Sequence, residues 1–338
     1  MMRRRFGRAA GTLSGLAFTL FGLILVTFLI GRVMPIDPII AIVGDHAPED
    51  VVARVRVELG LDRPLLVQFG IYLNLLVHGD LGRSVMTSNT VVEDIARYFP
   101  ATIELATVAI VIATVLGVPL GVLAAVRQGT RLDQAIRVFC LAGHSIPIFL
   151  LALLSLLVFY ATLGWVPGTG RADVAYEGMA PVVTGFLLID TLLAHDLDSF
   201  QDAAWHLVQP AGVLAYFSMA YIARMTRAFM LDALGGEYII TARAKGLSAL
   251  RVIWRHAFGN IAVRLVTVLA LTYAGLLEGA VVTETVFSWP GLGQYLTVSL
   301  LNADMNAVLG ATLVVGLIYM ALNLLADMAY RIMDPRVS

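Results

Sequence analysis

Two glutamates, Glu104 and Glu278, fall inside long apolar runs. Ionised groups are costly in such surroundings; where they occur they face protein or water and mark paths for charged solutes. For Glu278 two readings stay open: it lines a path and attracts an ammonium group, or it sits near an interface, snorkelling or protonated. A polar step, His144-Ser145, precedes Pro147 in another apolar run. Proline removes one helical hydrogen bond there and invites a kink, which serves either routine packing or a gate hinge. A third constellation is cationic: Glu237 to Ser248 carries Arg243 and the chain's one lysine, Lys245. No catalytic set accompanies these residues. There is no Gly-x-x-x-x-Gly-Lys-Ser/Thr phosphate loop, no His-Glu-x-x-His and no Gly-x-Ser-x-Gly, and the 6 histidines lack metal-ligand spacing. The expectation is therefore no catalytic residue, no metal and no cofactor on this chain.

The elements that position these residues follow from composition. Of 338 residues, 59% are hydrophobic and 14% charged, against about 25% charged in soluble domains. A soluble globule of this size would have too little polar surface to cover it. The one cysteine, Cys140, cannot form an internal bridge. No basic run with interleaved aromatics points to nucleic acid. The expected fold class is all-α, a polytopic membrane protein in a lipid bilayer.

A spanning helix needs about 20 mostly apolar residues, and six runs qualify: 9–31, then about 101–126, 138–162, 207–229, 263–284 and 307–329. The first follows Arg3-Arg4-Arg5 in the manner of a signal peptide, but its length and the absence of a small-residue cleavage pattern favour a retained anchor. The fourth is the weakest, because Arg224 and Arg227 cut into its end. With the N-terminus in the cytoplasm, the inside segments hold 4, 3, 7 and 2 basic residues of the total of 23. That asymmetry puts both termini in the cytoplasm. The expected organisation is a cytoplasmic tip and first span (1–32), an outside loop (33–100), a five-helix core (101–330) with a cytoplasmic loop at 231–260, and a cytoplasmic tail (331–338).

In the first outside loop, Pro48-Glu49-Asp50 opens an amphipathic stretch to Leu59 that stops at Gly60, and Pro64 opens another to about Val77. They serve packing or an external partner. The second outside loop is acidic (Asp190, Asp196, Asp198, Asp202) and reads as wetted surface more readily than as a receptor for a basic one. Trp165, Trp289 and Tyr295 fall at outer span ends and read as interfacial anchors. In the cytoplasmic loop, Glu237 to Lys245 forms a helix stopped at Gly246, a residue suited to a left-handed cap. After the N-cap candidate Ser248, the spacing of Leu250, Ile253, Trp254 and Ala257 marks one face of a second short helix. Two short helices at an angle make a knob, with small residues at Ala242 and Ala244 for close approach. Taken alone, it is equally an ordinary interfacial loop helix.

Thr241-Ala242-Arg243-Ala244-Lys245-Gly246-Leu247 resembles the cytoplasmic loop of binding-protein-dependent ABC transporter permeases of the dipeptide/oligopeptide branch. So do Leu59-Gly60-Leu61-Asp62-Arg63-Pro64, Gly79-Asp80-Leu81-Gly82-Arg83-Ser84, Pro100-Ala101-Thr102-Ile103-Glu104-Leu105, Ser145-Ile146-Pro147-Ile148-Phe149, Thr184-Gly185-Phe186-Leu187-Leu188-Ile189-Asp190, Glu284-Thr285-Val286-Phe287-Ser288-Trp289-Pro290-Gly291-Leu292-Gly293 and Asp334-Pro335-Arg336, all in family order. The similarity runs over essentially the whole chain and is strongest to dipeptide permease B subunits. It departs at Ile240, where the branch usually has Arg, at Arg264, where a proline is common, and at Glu278, where the family commonly has Gly.

The resemblance implies the six-helix permease fold of a type I importer, forming half of a pathway for dipeptides or short peptides across the bacterial inner membrane. It implies a homologous second permease, a periplasmic substrate-binding protein and two ATP-binding subunits that carry the ATP and Mg. The knob becomes a coupling helix seated in an ATPase cleft, through Glu237, Thr241, Ala242, Arg243, Ala244, Lys245, Gly246, Leu247 and Ser248. Glu104, His144, Ser145 and Glu278 are the pathway candidates. Nickel, glutathione, haem or longer peptides are alternative substrates. From another class, a proton-coupled secondary transporter would use Glu104 or Glu278 as its proton carrier.

Overall fold

The computed structural model describes residues 2–33, 47–58 and 60–333. The tail motif Asp334-Pro335-Arg336 lies outside them, as do residues 34–46 of the expected outside loop and Leu59. Every regular element among the described residues is helical, with one isolated antiparallel bridge between Arg83 and Thr90. The helices are α1 (Met2–Val33), α2 (Glu49–Glu58), α3 (Leu65–Val77), α4 (Val91–Val126), α5 (Arg131–Ser145), α6 (Ile148–Thr162), α7 (Leu187–Leu193), α8 (Leu197–Leu234), α9 (Glu237–Ala244), α10 (Ala249–Val286), α11 (Leu292–Leu301) and α12 (Met305–Met333).

Four of these are long and apolar enough to cross a membrane: α1 over Ser14–Arg32, α4, α10, and α12 over Met305–Leu325. The expected third span is broken, since α5 and α6 meet at 101° around Ile146-Pro147. Proline alone gives a kink; here Ile146 is extended and Pro147 starts the next helix, so the chain turns a corner. The fourth expected span lies in α8, which is long but less apolar. Its Ser199, His206, Gln209, Ser218 and Thr226 are buried against other helices, so they need no compatibility with lipid. Four of the six expected crossings thus appear as complete apolar helices and a fifth as a bent pair, while α8, at the place of the remaining one, is not apolar enough to count as a crossing by composition.

The chain divides into two compact units, Met1–Phe99 with Leu292–Met320, and Pro100–Gly291 with Ala321–Ser338. In the first, α1 packs on α3 through Phe28, whose ring lies 5.1 Å from Phe69 and 5.7 Å from Tyr72. Helices α2 and α3 fall where the sequence places them, separated by a left-handed Gly60 (φ +64°). Tyr295, read as an interfacial anchor, is buried instead and donates to Asp94 at 3.0 Å.

Helix α4 starts ahead of the expected residue 101. The Thr90 hydroxyl accepts from the Glu93 N–H (3.3 Å), and the Glu93 carboxylate accepts from the Thr90 N–H (3.0 Å). This capping box satisfies two otherwise orphaned donors and starts the helix there.

The second unit is built on α4, α8 and α10. Alanines at 101, 106, 109 and 113 of α4 are fully buried with Leu214 and Ile222 of α8 and Ile261 of α10. Close approach of α4 to α8 depends on Gly117 and Gly121, a small-x-x-x-small pair. A Cβ on Gly121 would lie 2.5 Å from the Ala223 carbonyl oxygen and 2.6 Å from Thr226 Cβ. Arg227 of α8 grips the buried Asp133 of α5 with two bonds, 2.8 and 2.9 Å.

Candidate functional site

The knob forms because α9 has a complete C-terminal cap. Gly246 takes φ +73°, its N–H donates to the Arg243 carbonyl (2.9 Å), and the Leu247 N–H reaches back to Ala242 (3.3 Å). This is the paired 5→2 and 6→1 pattern of a Schellman turn. Ile239 and Ala242 are buried in the core with Val252, and Leu247 packs against the same cluster. Tyr238 accepts a hydrogen bond from Asn260 at 3.0 Å, tying α9 to α10. Glu237, Thr241, Arg243, Ala244, Lys245, Gly246 and Ser248 face outward. Ala242 was expected to ease the approach of another surface; it points inward and anchors the knob instead. Ser248 occupies the N-cap position of α10 without a side-chain cap bond.

The second expected short helix is not a separate piece. Ala249 to Val286 runs on as one helix, with a π-helical stretch from Val252 to Phe258. The knob is therefore continuous with a membrane-spanning helix. Arg264, one of the departures from the family pattern, stacks on Phe229 of α8 (4.9 Å) and lies 3.9 Å from Asp232. Ile240, another departure, is exposed.

Farther along the same helices is a groove of about 310 Å³, between the α5/α6 corner, α8 and α10. His144, Ser218, Tyr221 and Thr272 supply its polar groups; Gly275 and Gly279 leave its α10 wall low. The His144 ring lies 5.5 Å from Phe217. The volume is at the lower end for small-molecule sites. Ser145 and Glu278 are exposed beside this region. Of the four pathway candidates the groove thus takes in His144 alone; Ser145 and Glu278 adjoin lining residues in sequence without lining it, and Glu104 lies elsewhere.

Glu104 is buried, 5% exposed, and both of its oxygens are taken. Oε1 accepts from the Leu188 N–H at 2.9 Å, and Oε2 accepts from Arg171 Nε at 3.2 Å and from its Nη2. Arg171 also donates to the Gly185 carbonyl at 2.9 Å and lies 5.7 Å from the Trp289 ring. Trp289 is buried and donates from its indole nitrogen to the Ala101 carbonyl at 3.0 Å, so it is a core residue and not an interfacial anchor. Trp165, by contrast, is 63% exposed. Sequence reading missed Arg171, because nothing local marks the partner of a carboxylate 67 residues away.

The acidic second loop is not simply wet. Asp190 is buried and accepts from the Thr184 N–H (2.8 Å) and hydroxyl (2.7 Å), the Gly185 N–H (2.9 Å) and the Val183 N–H (3.3 Å). Burial alone would raise its pKa, but these donors outweigh it and hold the carboxyl below its ordinary value. Asp196 caps α8 through the Ser199 N–H, and its hydrogen bonds likewise lower its pKa. Asp202 accepts from the Asp173 N–H at 2.7 Å. Three of the four acids hold backbone in place.

An all-helical, multi-pass chain with a capped knob running into a spanning helix has clear relatives. The family described as "Binding-protein-dependent transport system inner membrane component" matches residues 117–338, and its N-terminal counterpart matches residues 10–106. The chain belongs to this family and is a multi-pass inner-membrane component of a binding-protein-dependent transport system. It is 41% identical over 325 residues to the Escherichia coli K12 protein named "Probable D,D-dipeptide transport system permease protein DdpB", covering 96% of this chain and 95% of that one. It is 41% identical over 320 residues to the di/tripeptide transport system permease protein DppB of Pseudomonas aeruginosa UCBPP-PA14 (94% and 95% covered). It is 40% identical over 322 residues to the dipeptide transport system permease protein DppB of E. coli K12, with the same coverage.

Proposed function

We propose that the chain is a permease subunit of an ATP-driven ABC importer and forms half of the route by which dipeptides cross the inner membrane. One observation carries this reading: 40–41% identity over 94–96% of the chain to permeases named for dipeptide or di/tripeptide transport. A homologous second permease supplies the other half. Of two ATP-binding subunits, which hold the ATP and Mg, one seats the exposed face of the knob in its cleft. A periplasmic binding protein delivers peptide to the opposite side. Both termini are cytoplasmic, a placement supported by the concentration of basic residues on that side.

The geometry supports a way of passing force. Ile239, Ala242 and Leu247 bind the knob to the core, and α10 continues from it into the membrane, so displacement of the knob moves α10 as a lever. Movement of α10 against α8 opens or closes the groove that His144, Gly275 and Gly279 line. ATP binding and the loaded binding protein each shift the inward-open to outward-open equilibrium, by no more than their differential affinity for the two states. Glu104 is held by Arg171, which makes it a strut of the unit and a poor proton carrier. The test is uptake of a labelled dipeptide by vesicles holding the full complex. Uptake that needs both ATP and the binding protein is expected; uptake driven by a proton gradient without ATP overturns the proposal.

A further inference from the structure

Glu278 stands apart from the buried acids of the second unit. Glu104 and Asp133 are paired with arginines, and Asp190 is caged by backbone donors. Glu278 is exposed, and among the described residues no hydrogen bond or ion pair reaches it. Yet it lies within α10, a helix long and apolar enough to cross a membrane, 8 residues before its last residue, Val286. That is about 12 Å of helical rise. A carboxylate there is costly against hydrocarbon, so the face that carries it meets water or a cation.

The identity of that face is set by the helix. Leu271, Gly275, Glu278 and Val282 follow at steps of four, three and four, and all are exposed. Gly275 and Gly279 also line the groove, and around the Cβ position of each there is open space. Glu278 thus follows the groove-lining Gly275 by about one turn and directly precedes the groove-lining Gly279, neither of which has a side chain to screen it, while Glu278 is not itself part of the lining. Of the groove's own lining, only His144 can carry a positive charge, so the groove offers Glu278 no permanent counter-ion.

Peptides supply one. Every dipeptide has an N-terminal ammonium, and lysine or arginine adds a second cation. Resting on the functional reading above, we propose that Glu278 is a specificity-determining residue. It favours passage of cationic peptides through the groove and disfavours acidic ones. The size of the effect follows from Coulomb's law: a pair of unit charges about 4 Å apart in water is worth about a five-fold preference, with the opposite sign for an anionic side chain.

The test uses the complete transporter, with both permeases, the ATP-binding subunits and the binding protein, in vesicles given saturating Lys-Ala, Ala-Ala or Glu-Ala. The binding protein is common to every complex, so its own selectivity cancels when variants are compared. In Glu278→Gln the Lys-Ala to Glu-Ala uptake ratio is expected to fall at least about five-fold. Glu278→Lys should lower it further, and Glu278→Asp should retain most of it. If the wild type imports all three peptides and neither Gln nor Lys moves the ratio, the inference is overturned while dipeptide import stands. Loss of the second permease from the purified Gln variant, with an unmoved ratio, overturns it too and assigns the carboxylate to subunit pairing. If the wild type imports none of them, the functional reading fails and this inference fails with it.

Discussion

Removal of Arg171 isolates the energetics of the second unit. The perturbation is Arg171→Met, which keeps much of the side-chain bulk and deletes the guanidinium. In the native chain Glu104 is 5% exposed and Arg171 17% exposed. Breaking a buried pair from one side leaves an uncompensated charge and costs about 3–5 kcal/mol. The lower end, about 3 kcal/mol, applies here, because Arg171 is partly open to water and the Leu188 N–H still donates to Glu104. Loss of the Gly185 contact adds to the same sum. For a unit of this size 1 kcal/mol moves the thermal midpoint by about 2–4 °C, so Arg171→Met should fall by about 6–12 °C. Glu104→Gln removes the charge that the deletion strands. In that background Arg171→Met should cost no more than about 1.5 kcal/mol, a coupling of about 1.5 kcal/mol. The assay is thermal unfolding of the purified protein at one fixed scan rate, since unfolding of such proteins is commonly irreversible. A loss under about 1 °C in the single variant, or effects that add within about 0.5 kcal/mol, would show that the pair does not stabilise the unit.

Two further outcomes follow from geometry. Gly121→Ala places a methyl 2.5 Å from the Ala223 carbonyl oxygen; overpacking of this kind costs about 1–3 kcal/mol, so the midpoint should drop by several degrees. Gly70→Ala, in a helix with open space around its Cβ, should instead be stabilising by about 0.4–1 kcal/mol. Equal responses from the two would contradict the close α4/α8 approach. Asp190 has a depressed pKa in the folded chain, so its contribution is complete above its unfolded value, about 3.9, and is lost as pH falls through the lower folded value. Wild type should therefore lose midpoint more steeply than Asp190→Asn on acidification below about pH 4, and the variant should already be less stable at pH 7. Parallel acid limbs would exclude Asp190 as the titrating group.

Local chemistry made much of the fold legible. Proline openers and a glycine stop gave α2 and α3 nearly to the residue, and Gly246 gave the end of α9 because few other residues adopt φ +73° without strain. The early start of α4 was also written in the chain, as the Thr90 to Glu93 capping box, but hydropathy alone looks past it to residue 101. Other features depend on distant partners. Trp289 at the end of an apolar run looks like an interfacial anchor until the Ala101 carbonyl is brought to its indole. The acids of the second loop look solvated until the backbone folds around Asp190. Helix α8 reads weakly as a span because Arg224 and Arg227 cut into its end; that Arg227 finds the buried Asp133 of α5 is a property of a neighbour and not of the helix. At the candidate site, residue types marked His144, whereas the groove it lines needed α5, α8 and α10 in place.

In the proposed importer, ATP-driven work enters through the exposed face of the knob. Arg243 and Lys245 are exposed, and Ile239, Ala242 and Leu247 hold the knob without them. The double charge reversal Arg243→Glu/Lys245→Glu should therefore leave thermal stability within about 0.5 kcal/mol of wild type, as for ordinary surface changes. Like-charge contacts at an interface cost several kcal/mol, so the same variant should lose both the co-purifying ATP-binding subunits and ATP-dependent dipeptide uptake. Retention of the ATP-binding subunits with uptake at the wild-type level would contradict the account.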